Sequence, residues 1–147
     1  MVLTRCTGMV VIMNEIDEID EAQLSELVPR FYARVREDTL IGPVFDGAID
    51  HWDEHLEKLI DFWSSVMLTS GRYKGNPVAA HMKHLPKITP VMFDRWLELW
   101  TEVTDELLPA HTATALQQKA IRIAESLKLA LYFRLPPTRG APPVTAS

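Results

Sequence analysis

Four runs of apolar residues recur every three to four positions, and this periodicity commits the chain to helices more firmly than any other feature it has. Leu24, Leu27, Val28, Phe31 and Val35 make the first stripe, and Trp52, Leu56, Leu59, Trp63 and Val66 the second. Phe93, Trp96, Trp100, Val103 and Leu107 make the third; Leu116, Ala120, Ile123, Leu127 and Ala130 make the fourth. No strand-like alternation of useful length interrupts them, so the expected fold class is all-α. Thr89-Pro90 reads as an N-cap with proline in the first turn, Ser70-Gly71 closes the second helix and Pro109 ends the third. Pro29 lies inside the first stripe, where it removes an amide donor and crowds the preceding turn, so a kink or two joined helices is expected there. Gly42 to Ile49 and Thr69 to Pro77 read as loops, with a short helix around Val78 to His84.

The periodic region spans about 19–133 of the 147 residues, a single domain by length. Residues 1–18 read as a loose leader. The apolar run Met9 to Met13 is shorter than the ~7–15 residues of a secretory core, and no stretch reaches the ~18 needed to span a membrane. Met1, Met9 and Met13 are alternative starts. Residues 134–147 hold two Pro-Pro pairs among Thr, Gly and Ser, the composition of a disordered proline-rich tail.

Fifteen Lys and Arg against twenty Asp and Glu leave a net charge of -5, which lacks the basic footprint of a nucleic-acid or anionic-membrane binder. Neither partner is expected. Cys6 is the sole cysteine, which excludes an intramolecular disulfide, a cysteine-based zinc site and a cysteine-ligated iron–sulfur cluster within one chain. That usage suits a reducing cytoplasm, and a monomer is expected.

Chemistry must come from the five histidines, because no phosphate-binding glycine loop or nucleophile elbow is present. His51-Trp52-Asp53-Glu54-His55 matches the H-x-x-E-H pattern of inverted zinc peptidases, yet that chemistry also needs a third ligand and a peptide cleft. A solvated helix face is the plainer reading. A di-iron carboxylate bundle requires Glu-x-x-His on two helices, and no histidine here has a glutamate three residues before it. His81 and His84 follow Asn76-Pro77, and the chain has room to place imidazoles from this segment and from the His55 helix on two sides of a flat ligand. Phe31, Tyr32, Phe45, Trp52, Phe62, Trp63, Phe93, Trp96 and Trp100 supply rings that either fill a helical core or wall an apolar pocket.

These residues resemble the truncated haemoglobins, and among them the third group. The likeness rests on Phe31-Tyr32 with Val35-Arg36-Glu37-Asp38 and Ile41-Gly42-Pro43-Val44-Phe45; on Trp52-Asp53-Glu54-His55 with Phe62-Trp63; on Tyr73-Lys74-Gly75-Asn76-Pro77 leading to His81-Met82; and on Phe93-Asp94-Arg95-Trp96-Leu97. It covers about residues 19–133. The absence of any Gly-Gly pair also suits the third group.

The resemblance implies a shortened, two-over-two globin fold around a haem b. Haem would be held noncovalently, since no C-x-x-C-H is present. It implies His81 as the iron ligand, with His84 at the haem edge or in solvent; an inserted residue in this segment would instead make His84 the ligand. Tyr32 and Trp96 correspond to the distal tyrosine and tryptophan, fixed donors that steady a bound diatomic molecule. Loss of one such donor is worth roughly three- to tenfold in ligand release. His55 corresponds to the distal histidine, either a gate that swings toward solvent or a plain surface residue. Phe45 and Phe93 should lie against the porphyrin and Leu59, Phe62 and Trp63 should line the pocket, core packing being the alternative for the last two.

The resemblance thus implies an oxygen-binding haem protein that also takes carbon monoxide and nitric oxide. Its several donors suit peroxidase-like or nitric-oxide-dioxygenase-like redox chemistry, fed by an unidentified reductase, better than bulk oxygen transport. Sensing or storage without turnover, a helical metal-binding hydrolase and a cofactor-free interaction module are the competing readings.

Overall fold

The structure, a computed structural model, describes residues 19–133. Cys6, the expected leader and the proline-rich tail lie outside the described residues. Within those residues six α-helices and one 3-10 turn occur in order: α1 Glu21–Glu37, α2 Gly42–Ala48, α3 Trp52–Leu68, α4 Pro77–Met82, the 3-10 turn Leu85–Lys87, α5 Pro90–Leu107 and α6 Ala110–Tyr132. Two helix pairs, α1 with α3 and α5 with α6, are joined through the packing of α1 on α5, while α2 sits against α1 and α4 against α6. Among the described residues no helix is long and apolar enough to cross a membrane.

The stripes fall where periodicity places them. Leu24, Leu27, Val28, Phe31 and Val35 are all within 1% of complete burial, and with Trp63, Trp100, Val103, Leu116 and Ala120 they form the main core. Phe93, Ala124, Leu127 and Leu131 form a smaller second cluster. The fourth stripe drifts at its end, where Ala130 is exposed and Leu131 takes the buried position.

α1 begins with a capping box: the Asp20 carboxylate accepts from the Gln23 amide at 2.7 Å, and the Gln23 side chain accepts from the Asp20 amide at 2.9 Å. Of the expected kink or pair of joined helices, the pair is not found: α1 runs through Pro29 as one helix. The carbonyl that Pro29 leaves unpaired belongs to Ser25 on the exposed side, where water can satisfy it.

The stretch Gly42 to Ile49, expected to be a loop, is mostly helix. Asp38 sets it up: its Oδ2 accepts the amides of Leu40 and Ile41, both at 3.0 Å, and its Oδ1 accepts Arg95 Nε and Nη2 of α5, each at 2.8 Å. Gly42 is required because a Cβ there would lie 2.7 Å from the Arg36 carbonyl oxygen. Seven residues are too few for a periodic signal, and the interactions that nucleate the helix come from outside it. α3 ends at Leu68, where Thr69 rather than glycine takes the left-handed backbone at φ 52°; Gly71 follows at φ 72°.

Candidate functional site

A cavity of about 1070 Å³ opens between α3, α4, α5 and α6, with Tyr32 of α1 and Phe45 of α2 reaching into it. Its volume is slightly above the ~300–1000 Å³ usual for small-molecule and cofactor sites. Every site residue expected from the sequence lines it: Tyr32 and Phe45; His55, Leu59, Phe62 and Trp63 from α3; His81 from α4; Phe93 and Trp96 from α5. His84 lines it too, half-buried, as does exposed His51.

His81 is set by its own short helix. Asn76 caps α4 by accepting the Ala79 amide at 3.2 Å, and Pro77 occupies the first turn, where a missing amide costs nothing. One turn later His81 Nδ1 lies 2.7 Å from the Pro77 carbonyl oxygen. A carbonyl only accepts, so Nδ1 carries a proton, and in the neutral imidazole Nε2 then holds the lone pair. The ring of Phe93 stacks on this imidazole at 6.0 Å and 29°, restricting its rotation.

On another wall, Trp96 Nε1–H donates to the Tyr32 hydroxyl oxygen at 3.3 Å. An indole has a single donor, so in this arrangement Trp96 is engaged with Tyr32, and the phenol O–H is the donor left for a molecule in the cavity. Burial pushes the Tyr32 hydroxyl well above the usual phenol range, against the opposing effect of the Trp96 hydrogen bond, so it remains a proton donor rather than an anion. Phe45 and Trp52 bracket the phenol ring at 5.7 and 6.1 Å. Trp52 also meets the His55 ring edge-on at 5.9 Å and carries the Arg36 guanidinium 4.5 Å above its face. His55 is half-buried. Burial, and then the positive charge of Lys58, lower its pKa, which favours a neutral imidazole.

Several lining residues were not among the expected site. Ile88 and Met92 precede Trp96 at intervals of four, a spacing that could have marked them. Ile123 and Leu127 belong to the fourth stripe and wall the cavity as well as the core. Exposed Lys58, Arg72, Lys74 and Lys83 form its rim, and nothing in their spacing signals this. Arg72 is held there by Glu21 and by Asp61, the latter at 3.2 Å.

The H-x-x-E-H match does not form a metal centre. His51 is the extended N-cap of α3 and lies outside the helix, and among the described residues no group of three or more His, Cys, Asp or Glu is placed to hold a metal.

No family model matches the chain. It is 30% identical over 122 residues to the group 3 truncated haemoglobin ctb of Campylobacter jejuni, covering 80% of this chain and 95% of that protein. The chain belongs to the group III truncated haemoglobins. The crystal structure of group III truncated haemoglobin from Campylobacter jejuni superposes with a TM-score of 0.71 at 31% identity, covering 78% of this chain and 93% of that one. The all-α arrangement of this truncated haemoglobin is therefore the truncated globin fold, with α1–α3 and α5–α6 as its two crossed pairs.

Proposed function

We propose that residues 19–133 form a globin domain that holds haem b noncovalently and reversibly binds oxygen, carbon monoxide or nitric oxide. The observation that carries this reading is His81: its Nδ1–H is tied to Pro77, and the free Nε2 belongs to a residue lining a large apolar cavity whose other wall presents Tyr32. Haem, when bound, supplies the iron that coordinates the diatomic ligand. His81 would be its protein ligand, while Phe45, Leu59, Phe62, Trp63 and Phe93 would pack the porphyrin. Lys58, Lys74 and Lys83 at the rim are suited to its two carboxylates.

On the ligand side, Tyr32 donates its O–H, Trp96 orients the phenol, and neutral His55 stands beside them. A donor aimed where negative charge develops on oxygen favours redox turnover, so peroxidase-like or nitric-oxide-dioxygenase-like activity is the reading for catalysis. Such turnover requires an electron source, and a cytoplasmic reductase is the partner this implies.

Visible absorption spectra of the purified protein, oxidised, reduced and with carbon monoxide, test the reading. A Soret band that shifts with carbon monoxide and is lost in His81→Ala but not in His84→Ala is expected. A colourless protein that takes up no haemin, or a band unchanged in His81→Ala, overturns it. Steady-state turnover of peroxide with a reductant, lowered by Tyr32→Phe or Trp96→Phe and lost when both are changed, separates catalysis from sensing or storage.

A further inference from the structure

Three of the chain's four tryptophans form one stack. Trp96, on the cavity wall, lies parallel to Trp100 at 5.2 Å and 14°, and Trp100 lies parallel to Trp63 at 4.6 Å and 17°. Phe62 then meets Trp63 at 5.5 Å and Tyr73 at 5.2 Å, both edge-on. The series therefore runs from the Tyr32–Trp96 pair through Trp100 in the core, returns to the cavity wall at Trp63 and Phe62, and ends at Tyr73, a partly exposed phenol at the cavity's edge on the loop after α3. Tyr73 is fixed at that end: its amide donates to Ser65 Oγ at 2.9 Å, and its ring occupies space that a Cβ at residue 75 would fill. Packing alone requires neither three indoles in succession nor a phenol at the end of the series. Indole and phenol are the readily oxidised aromatic side chains.

We infer that Trp96, Trp100 and Trp63 carry single electrons from Tyr73, across Phe62, to the pocket when a peroxide is reduced there; this rests on the haem reading above. An electron drawn from Trp96 is replaced from Trp100, then from Trp63, and last from Tyr73. The indoles keep their N–H protons in transit, that of Trp100 being held by the Leu116 carbonyl at 3.2 Å and that of Trp96 by Tyr32. Tyr73 releases its phenolic proton to water at the rim, and its radical is quenched by a hydrogen atom from a small phenolic donor. Two such transfers, with two protons from solvent, convert hydrogen peroxide to two waters and two donor molecules to their radicals. The reducing substrate meets Tyr73 at the edge of the cavity and need not pass beyond it.

The test uses the haem-loaded full chain, treated with hydrogen peroxide and a nitroso spin trap in the absence of reductant. Adducts are located by peptide mass spectrometry, normalised to bound haem, and the radical is followed by electron paramagnetic resonance. Trp100 is fully buried and does not line the cavity, so Trp100→Phe interrupts the stack without touching the pocket. The wild type should carry its adduct on Tyr73, and Trp100→Phe should lose it while keeping the Soret band and helical circular dichroism. Trp100→Leu, at the same residue off the cavity wall, gives the same result if the inference holds, and it decides the matter should Trp100→Phe fail to fold. An adduct on Tyr73 that persists in the folded variant, or a wild type with a Soret band and no Tyr73 adduct, overturns the relay and leaves the haem reading intact. A wild type with no Soret band overturns the haem reading itself.

Discussion

The hydrogen bond from Trp96 to Tyr32 makes a quantitative prediction about oxygen release. One donor, the Tyr32 O–H, remains for a ligand while Trp96 is engaged with the phenol oxygen. In Tyr32→Phe the indole N–H loses its acceptor in a pocket that is 4% exposed at residue 32, and it turns to the ligand in place of the phenol. In Trp96→Phe the phenol keeps its O–H and loses only its orientation. Each single change should therefore raise the oxygen off-rate by roughly threefold or less, because the other residue substitutes for it. Removing both deletes every donor of the pair, for which ~0.5–1.5 kcal/mol of direct hydrogen bonding plus the lost substitution gives roughly tenfold or more. Stopped-flow displacement of oxygen by carbon monoxide, on the wild type, the two single variants and the double variant, measures the four rates. The expected signature is a double-variant rate above the product of the two single factors. Factors that multiply to within about twofold would mean independent donors and would refute the coupling read from the structure.

The capping and ion-pair geometry sets further outcomes. Burial raises the Asp38 carboxyl, but the Arg95 hydrogen bond and the amides of Ile41 and Leu40 outweigh this and hold its pKa below the usual carboxylate range. Its folded pKa is thus below its unfolded one, so its stabilisation is full above the unfolded value and lost as pH falls through the folded one. Asp38→Asn should lower the urea midpoint at neutral pH, with the gap to wild type closing toward pH ~3; a gap independent of pH would contradict the assignment. Thr69→Gly should raise stability by about 1 kcal/mol, since a β-branched residue at positive φ is strained and glycine is not. A melting temperature that stays level or falls would show that the hydroxyl bond from Thr69 to the Leu68 carbonyl matters more than the backbone.

The chain by itself determined the four long helices and the kinds of residue that meet in the cavity. The burial of a helix face is encoded in its own 3.6-residue repeat, which is why Leu24 to Val35 and Leu116 to Leu127 could be assigned to the core without knowing what covers them. Ordered motifs around Tyr32, His55, His81 and Trp96 marked candidates for one pocket. Tertiary structure decided the rest. The helix Gly42–Ala48 depends on Asp38, whose carboxylate is shared between its own corner and Arg95, 57 positions away. Whether Trp96 points its proton at a ligand or at Tyr32 depends on how α5 crosses α1, and no local pattern records that angle. The tautomer of His81 is set by one carbonyl at 2.7 Å, and the basic rim by which lysines happen to border the opening. Periodicity specifies a face because every residue on it shares one environment; a hydrogen bond between helices specifies a direction, which exists only once two helices have packed.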